Sequence, residues 1–548
     1  LALLLPCASI DADAGLNDSP VQLPPLLVEQ TYHGGTWRYA QVPGFEILSR
    51  CNDQTTTQLV AAFQHARDTL AVLLPERFQL RLDAPQALII YDDERWTAAT
   101  KEATELLLKK GFAVSPPPRE DDDSSGSLLS ALADPERKRT PAKTVDRYFA
   151  NLRLADADTT TTFAVVSHSS PDPKEMFLTA RYVAQLIGSR QPALPSWFTA
   201  GFLAFYQNIT FGDASLRLAR PSNDDPQKPL IPLADFLSAA PENPVTSNAV
   251  WLTESELFVR WCLDPRMNAG DALWRFLDEL PRTSNRTELF SRCFGLTSTE
   301  AIEQLEIYRR STSTTTTKWK LGPSPAAPPV EIREATPNQV ARIKGEWERL
   351  VVRYVRKELP AFESVYLTQA RHTLRRAYDR GDRDGQLLAS LGLLELDDSR
   401  TELAREFLEA AAEKSVVRPR VYFECAKFRY DEELGRVRRN DGKLTREQAA
   451  RVLQSLLVAE KQAPSLAPVY ELIADVWANC AESPAATDLE IIDRGVGLFP
   501  ESSELVYRAA LLHHARGDRQ ALHGLVELGK RTLTTETARS RLEQLERN

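Results

Sequence analysis

Residues Leu178–Gln207 read LTARYVAQLIGSRQPALPSWFTAGFLAFYQ. The stretch divides into a helical segment, a short loop bounded by Pro192 and Pro195, and a second helical segment opening LPSWFTAG. Proline is tolerated in the first turn of a helix and breaks its interior. The two prolines therefore predict a helix, a tight connection and a second helix packed on the first.

Upstream, TTTTFAVVSH (Thr159–His168) reads as a strand that feeds this pair. Trp37–Arg50 predicts two short strands broken by Pro43-Gly44. Leu59, Phe63, Ala66, Leu70 and Leu73 recur at helical spacing. QALIIYDD (Gln86–Asp93) has the β-branched, apolar character of a buried strand, and a helix is expected over Thr97–Lys110. Ser115–Ser127 (SPPPREDDDSSGS) has too few apolar residues to bury a core, and its acidic triplet lacks the oxygen spacing of a calcium loop. Downstream, Trp251, Leu257, Phe258, Trp261 and Cys262 mark one helix, and Leu273, Phe276 and Leu280 the next. Ser311–Pro329 is polar and Pro-rich and reads as a linker extending to 337.

A net charge of −9 argues against nucleic acid as a partner, because phosphate binding needs a basic face. The start, LALLLPCASIDADAG, pairs an apolar run with a small-x-small pattern before Gly15, as in a secretory signal. It lacks an initiating Met and a basic flank, as a truncated or misassigned start would, and the alternative reading is a frayed apolar terminus of a cytosolic protein. No other run approaches the roughly 20 apolar residues of a membrane span. The six cysteines form no CxxC pair, and Cys262 and Cys293 fall on neighbouring predicted helices where a bridge is conceivable after export. Asn208 and Asn285 begin the triplets NIT and NRT, which match the glycosylation acceptor pattern.

A helical zinc site needs two ligands four residues apart, a carboxylate beside the first to take a proton from bound water, and a third ligand from another element. Leu194, Pro195, Trp197, Gly201 and the Phe205-Tyr206 pair resemble the second helix of the gluzincin peptidases, more narrowly the bacterial peptidase-MA-like domains. The resemblance covers residues 36–310 and implies an α+β gluzincin-like domain. In that family the first helix carries His-Glu-x-x-His and the second Asn-Glu-Gly. Here Ala180 and Ala184 stand where both His ligands belong, Arg181 replaces the base, and Thr199-Ala200 replace Asn-Glu. Ala204 replaces a further acidic position. A methyl group binds no metal, and a guanidinium accepts no proton. Among seven histidines, only His168 falls beside the implied cleft, and no His-x-x-x-His pair exists anywhere in the chain. No Gly-x-Ser-x-Gly elbow or phosphate-binding glycine loop appears.

The C-terminal part repeats. Small residues recur as Gly392, Ala426, Ala474 and Ala510, at intervals of 34, 48 and 36 residues. A large residue precedes each by four: Leu388, Tyr422, Tyr470 and Val506. Over Pro360–Thr532 this resembles the tetratricopeptide repeat, whose period is about 34 residues and whose small position lets two helices approach closely. GRVRRNDGKLTREQ accounts for the long interval as an insertion.

The expected organisation is a signal remnant (1–14), an extended segment (15–35), the gluzincin-like domain (36–310), a linker (311–337) and an all-α tetratricopeptide-like solenoid (338–548). The expected function is that of an exported, periplasmic or extracellular pseudo-metallopeptidase without cofactor, binding protein or peptide partners as a scaffold or assembly subunit. In it Arg181, His168 and Thr199 would line the old peptide cleft. Two alternatives stand beside it: a metallopeptidase with a relocated or partner-supplied zinc site, and a purely helical assembly subunit.

Overall fold

A computed structural model describes residues 21–22, 36–42, 44–71, 73–75, 84–92, 145–146, 151–166, 180–212, 215–219, 229–238, 249–283, 285–312, 317–320, 330–438, 442–533 and 535–547. In chain order the elements are β1 (Val21–Gln22), β2 (Arg38–Val42), β3 (Phe45–Ser49), α1 (Asp53–Ala71), β4 (Gln86–Asp92), β5 (Val145–Asp146), β6 (Asn151–Ala155) and β7 (Thr160–Val166). Then come α2 (Ala180–Gly188), α3 (Ser196–Gln207), β8 (Ile209–Gly212), β9 (Ser215–Leu218), α4 (Leu233–Ser238), α5 (Ala249–Leu263), α6 (Gly270–Glu279), α7 (Arg286–Phe294), α8 (Ser298–Thr312), β10 (Thr317–Lys320) and β11 (Arg333–Glu334). The remainder is helical: α9 (Pro337–Glu358), α10 (Glu363–Asp379), α11 (Gly385–Asp397), α12 (Thr401–Glu413), α13 (Pro419–Arg438), α14 (Arg446–Glu460), α15 (Ala467–Ala478), α16 (Ala486–Leu498), α17 (Ser503–Ala515), α18 (Arg519–Thr532) and α19 (Glu536–Arg547).

The chain forms two compact units. The first comprises Leu1–Thr57, Gln86–Asp172 and Val330–Arg400. Its centre is a mixed six-stranded sheet in the order β11-β2-β3-β4-β7-β6. Parallel pairing of β3 with β4 and of β4 with β7 forms the middle, flanked by antiparallel neighbours. Ile89, Ile90, Phe163 and Ala164 are fully buried there, as the apolar runs predict for parallel strands covered on both faces. β1 and β5 form a separate two-residue parallel pair.

α9 packs on β6 and β7 within this unit. Its Trp347 ring stacks on Phe163 at 5.6 Å, Phe163 meets Tyr91 at 5.4 Å, and Tyr91 meets Trp37 at 5.3 Å. Charged pairs add register: Arg342 donates to both Glu46 carboxylate oxygens, one at 2.6 Å. Arg349 donates to Glu346 at 2.7 Å and to Asp156 at 2.8 Å, and Arg353 also reaches Asp156. Thr336 and Gln339 close a reciprocal capping box that starts α9.

The second unit comprises Gln58–Pro85, Pro173–Pro329 and Thr401–Asn548. One part gathers α2–α8 with the antiparallel sheet β10-β9-β8. Its core is aromatic: Trp197, Phe202, Phe205, Phe236, Phe258, Phe276 and Phe290 are all at most 1% exposed. In the other part, α12–α19 form a solenoid-like ladder. Each helix packs on the next, and α13, α15, α17 and α19 also pack on one another in turn. The same pattern joins α9, α10 and α11 in the first unit.

The structure is thus a mixed α/β fold with a helical, solenoid-like region. The segment expected as a linker carries two strands. β10 pairs with β9 and buries Trp319, and β11 pairs with β2. The boundary expected at 337 also falls inside the sheet unit, because α9 packs on β6 and β7 as well as on α10 and α11. β6, β8 and β9 were not anticipated. Leu1–Gly15, the helix expected over Thr97–Lys110, the loop Ser115–Ser127 and His168 lie outside the described residues.

Candidate functional site: the α2–α3 helix pair

α3 begins directly after Pro195, whose carbonyl accepts the N–H of Phe198 and of Thr199, both at 3.0 Å. Its C-terminus closes at Asn208, whose side-chain amide donates to Ala204 O at 3.0 Å and to Glu256 Oε1 at 2.9 Å. The Asn208 amide is therefore consumed by the fold. Asn285 is likewise used, accepting the Glu288 N–H as the N-cap of α7.

Two faces are distinct along each helix of the pair. On α2, Tyr182, Val183, Leu186 and Ile187 are buried, while Ala180, Ala184 and Gln185 are half-buried. On α3, Trp197, Phe198, Gly201, Phe202, Phe205 and Tyr206 are buried, and Thr199, Ala200, Leu203 and Ala204 are half-buried. Ala180 and Ala184 stand four residues apart, so they share one side of α2. Every residue read at a ligand position lies on a half-buried face, and the residues of α3 that carry the resemblance, from Trp197 onward, lie on the buried one. Arg181 is placed in α2 by its backbone; its side chain lies outside the described set, as does all of His168.

Gly201 explains how closely α3 approaches α5. A Cβ built there would meet the Ser255 carbonyl, and Val259 at 2.9 Å. Trp197 completes the contact, with its ring 5.2 Å from Phe258 and 6.0 Å from Phe236.

Among the described residues, no group of three or more His, Cys, Asp or Glu is arranged to hold a metal ion. Cys262 and Cys293 are both buried free thiols. Burial pushes the Cys262 thiol well above its ordinary range and raises that of Cys293 too. Neither is a poised nucleophile.

The sequence reading missed Glu254. It lies on α5 at 3% exposure, and its Oε2 accepts the Ile231 N–H at 2.8 Å. Burial pushes its carboxyl up to about 7, against the opposing pull of that N–H and of Arg309. The signal was present: Trp251, Glu254, Phe258 and Trp261 share one helical face, and an acid within an apolar row is out of place.

The eight residues assigned to repeat packing are all buried: Leu388, Gly392, Tyr422, Ala426, Tyr470, Ala474, Val506 and Ala510. Two further small positions emerge. A Cβ on Gly345 would meet Leu374 of α10, and one on Gly495 would meet Tyr470 at 2.6 Å. A polar chain also links three alternate helices of the ladder. Tyr430 Oη of α13 donates to Asp475 Oδ2 of α15 at 2.7 Å, and Arg508 Nη2 of α17 lies 3.3 Å from Asp475 Oδ1.

Among known proteins, no family model and no curated sequence matches the chain. Among the described residues, no helix is long and apolar enough to cross a membrane.

Proposed function

We propose that the protein is a non-catalytic binding or scaffolding protein, built from a gluzincin-like helix pair without its metal-binding residues and a tetratricopeptide-like ladder. The observation that carries this reading is the segregation on α2 and α3. Ala180, Ala184 and Ala200, the residues read at the ligand positions, are half-buried, and the buried face of α3 approaches α5 closely at Gly201. The ladder supports the binding role, since stacked helical units offer an extended surface to partner proteins. The extracytoplasmic setting belongs to the same proposal and rests on the Leu1–Gly15 pattern alone.

The test is metal analysis of two purified proteins. The unaltered protein is expected to carry no zinc. A variant with Ala180→His, Arg181→Glu, Ala184→His and Ala200→Glu is expected to take up one zinc per chain. A folded variant that takes up none overturns the gluzincin-like geometry. Stoichiometric zinc in the unaltered protein overturns the non-catalytic reading and favours a relocated site.

A further inference from the structure

α4 has six residues, far fewer than an isolated helix needs to persist in water. Its neighbours therefore decide its position. Phe236 of α4 is 1% exposed and sits 5.6 Å from Phe258, 6.0 Å from Trp197 and 6.4 Å from Trp251. Two side chains pin the backbone at either end. Before α4, the Ile231 N–H donates to Glu254 Oε2 of α5 at 2.8 Å. Within its last turn, Leu237 O accepts from Arg286 Nη1 of α7 at 2.6 Å.

The two pins differ chemically. A guanidinium stays charged at every accessible pH, whereas a carboxyl exchanges its proton. Glu254 is three residues from Trp251 and four from Phe258 on the same helix, so its carboxyl enters the aromatic interface. Arg309 of α8 is the cation that acts on it, Arg286 is engaged at Leu237, and Asp235 of α4 is exposed. α3, which packs on α5, has no Asp, Glu, Lys or Arg. Burial outweighs the attraction of Arg309, leaving the carboxyl with its proton up to about pH 7.

We propose that Glu254 is a proton-operated fastener for α4: protonated, it holds α4 closed on the aromatic cluster; ionised, it opens the Ile231–Ser238 segment and bares Trp197, Trp251 and Phe258. The physical reason is that an ionised carboxylate in an apolar interface must recover solvation. Moving the smallest adjoining element is the least costly way to admit water.

Hydrogen–deuterium exchange of the full chain between pH 5.5 and 8.5, corrected for intrinsic exchange, tests this. Peptides covering Ile231–Ser238 are expected to lose protection as pH rises from 5.5 to about 7, by up to roughly tenfold per pH unit for a one-proton opening, and to level off above that. Those covering α6 should stay level. In Glu254→Gln the segment should remain protected throughout. Unchanged protection of Ile231–Ser238 in the unaltered protein overturns the proposal, and so does the same pH profile in Glu254→Gln. If that variant does not fold, the pH series on the unaltered protein decides alone.

Discussion

The Arg349 guanidinium of α9 is 0% exposed and lies 2.8 Å from Asp156 Oδ2, a residue 193 positions earlier. Burial alone would lower its pKa, but Glu346 and Asp156 more than offset this and hold it above the ordinary value. Glu346 in turn accepts the Ser390 hydroxyl at 2.6 Å. One buried cation thus ties the end of β6 to α9, and through Glu346 to α11.

Removing that cation leaves carboxylates in a dry interior. Arg349→Met is expected to lower stability by about 3–5 kcal/mol, the usual result of breaking a buried pair from one side. Adding Glu346→Gln and Asp156→Asn should recover part of the loss, because two of the three carboxylates that face Arg349 are then neutral. Urea titration of the three proteins checks both outcomes.

A chain ended at Glu334 retains all six strands but lacks α9. Its sheet would present Phe163 without Trp347, and Asp156 without Arg349. It is expected to bind a hydrophobic dye and to lack a cooperative unfolding transition. A soluble, cooperatively folding product would show that α9 is dispensable to the sheet.

Two glycines should respond in opposite directions to the same change. Gly201→Ala drives a methyl into the Ser255 carbonyl and should cost about 1–3 kcal/mol, as overpacking does. Gly524 lies in α18 with nothing within 4 Å of an added Cβ, so Gly524→Ala should stabilise by roughly 0.5–1 kcal/mol. Thermal melts of the two variants settle the contrast.

Glu254 imposes a pH dependence on stability. Its folded-state pKa of about 7 lies above the ordinary 4.5, so the folded protein binds this proton more tightly than the unfolded chain. The resulting stabilisation is fully present below about 4.5 and is lost as pH rises through 7, a change of about 3 kcal/mol. Glu254→Gln should remove this component, making the variant the more stable protein at pH 8. Denaturant midpoints at pH 5, 6, 7 and 8 give the comparison.

Asp475 joins α13, α15 and α17. Asp475→Ala removes the acceptor of the part-buried Tyr430 hydroxyl and is expected to cost about 1–3 kcal/mol. Hydrogen exchange should show the loss on all three helices, whereas a purely local role would confine it to α15.

Periodicity made much of the fold legible. The strands around Pro43-Gly44, the strand from Gln86, the α2–α3 pair and the buried repeat positions follow from apolar spacing and prolines. What escaped depends on distant partners. β10 and β11 are four and two residues long and exist because β9 and β2 pair with them. The role of α9 was hidden because a helix that covers a sheet and one that stacks in a repeat need the same amphipathic stripe. At the helix pair, the absence of His, Cys, Asp and Glu between Ala180 and Gln207 is readable letter by letter. Glu254 was missed because its chemistry comes from Ile231 and Arg309, which the sequence does not place beside it.

The α9–sheet contact also sets an order of events during synthesis. Phe163 leaves the ribosome 184 residues before Trp347, the ring that stacks on it (163 to 347). At roughly 5–20 residues per second, that delay is roughly 10–40 s. Throughout it the central strands are complete but one of their covers has yet to be made. The second unit's α2–α8 emerges within the same interval, so the nascent chain must keep an unfinished sheet from associating with its neighbours while an entire helical cluster is translated.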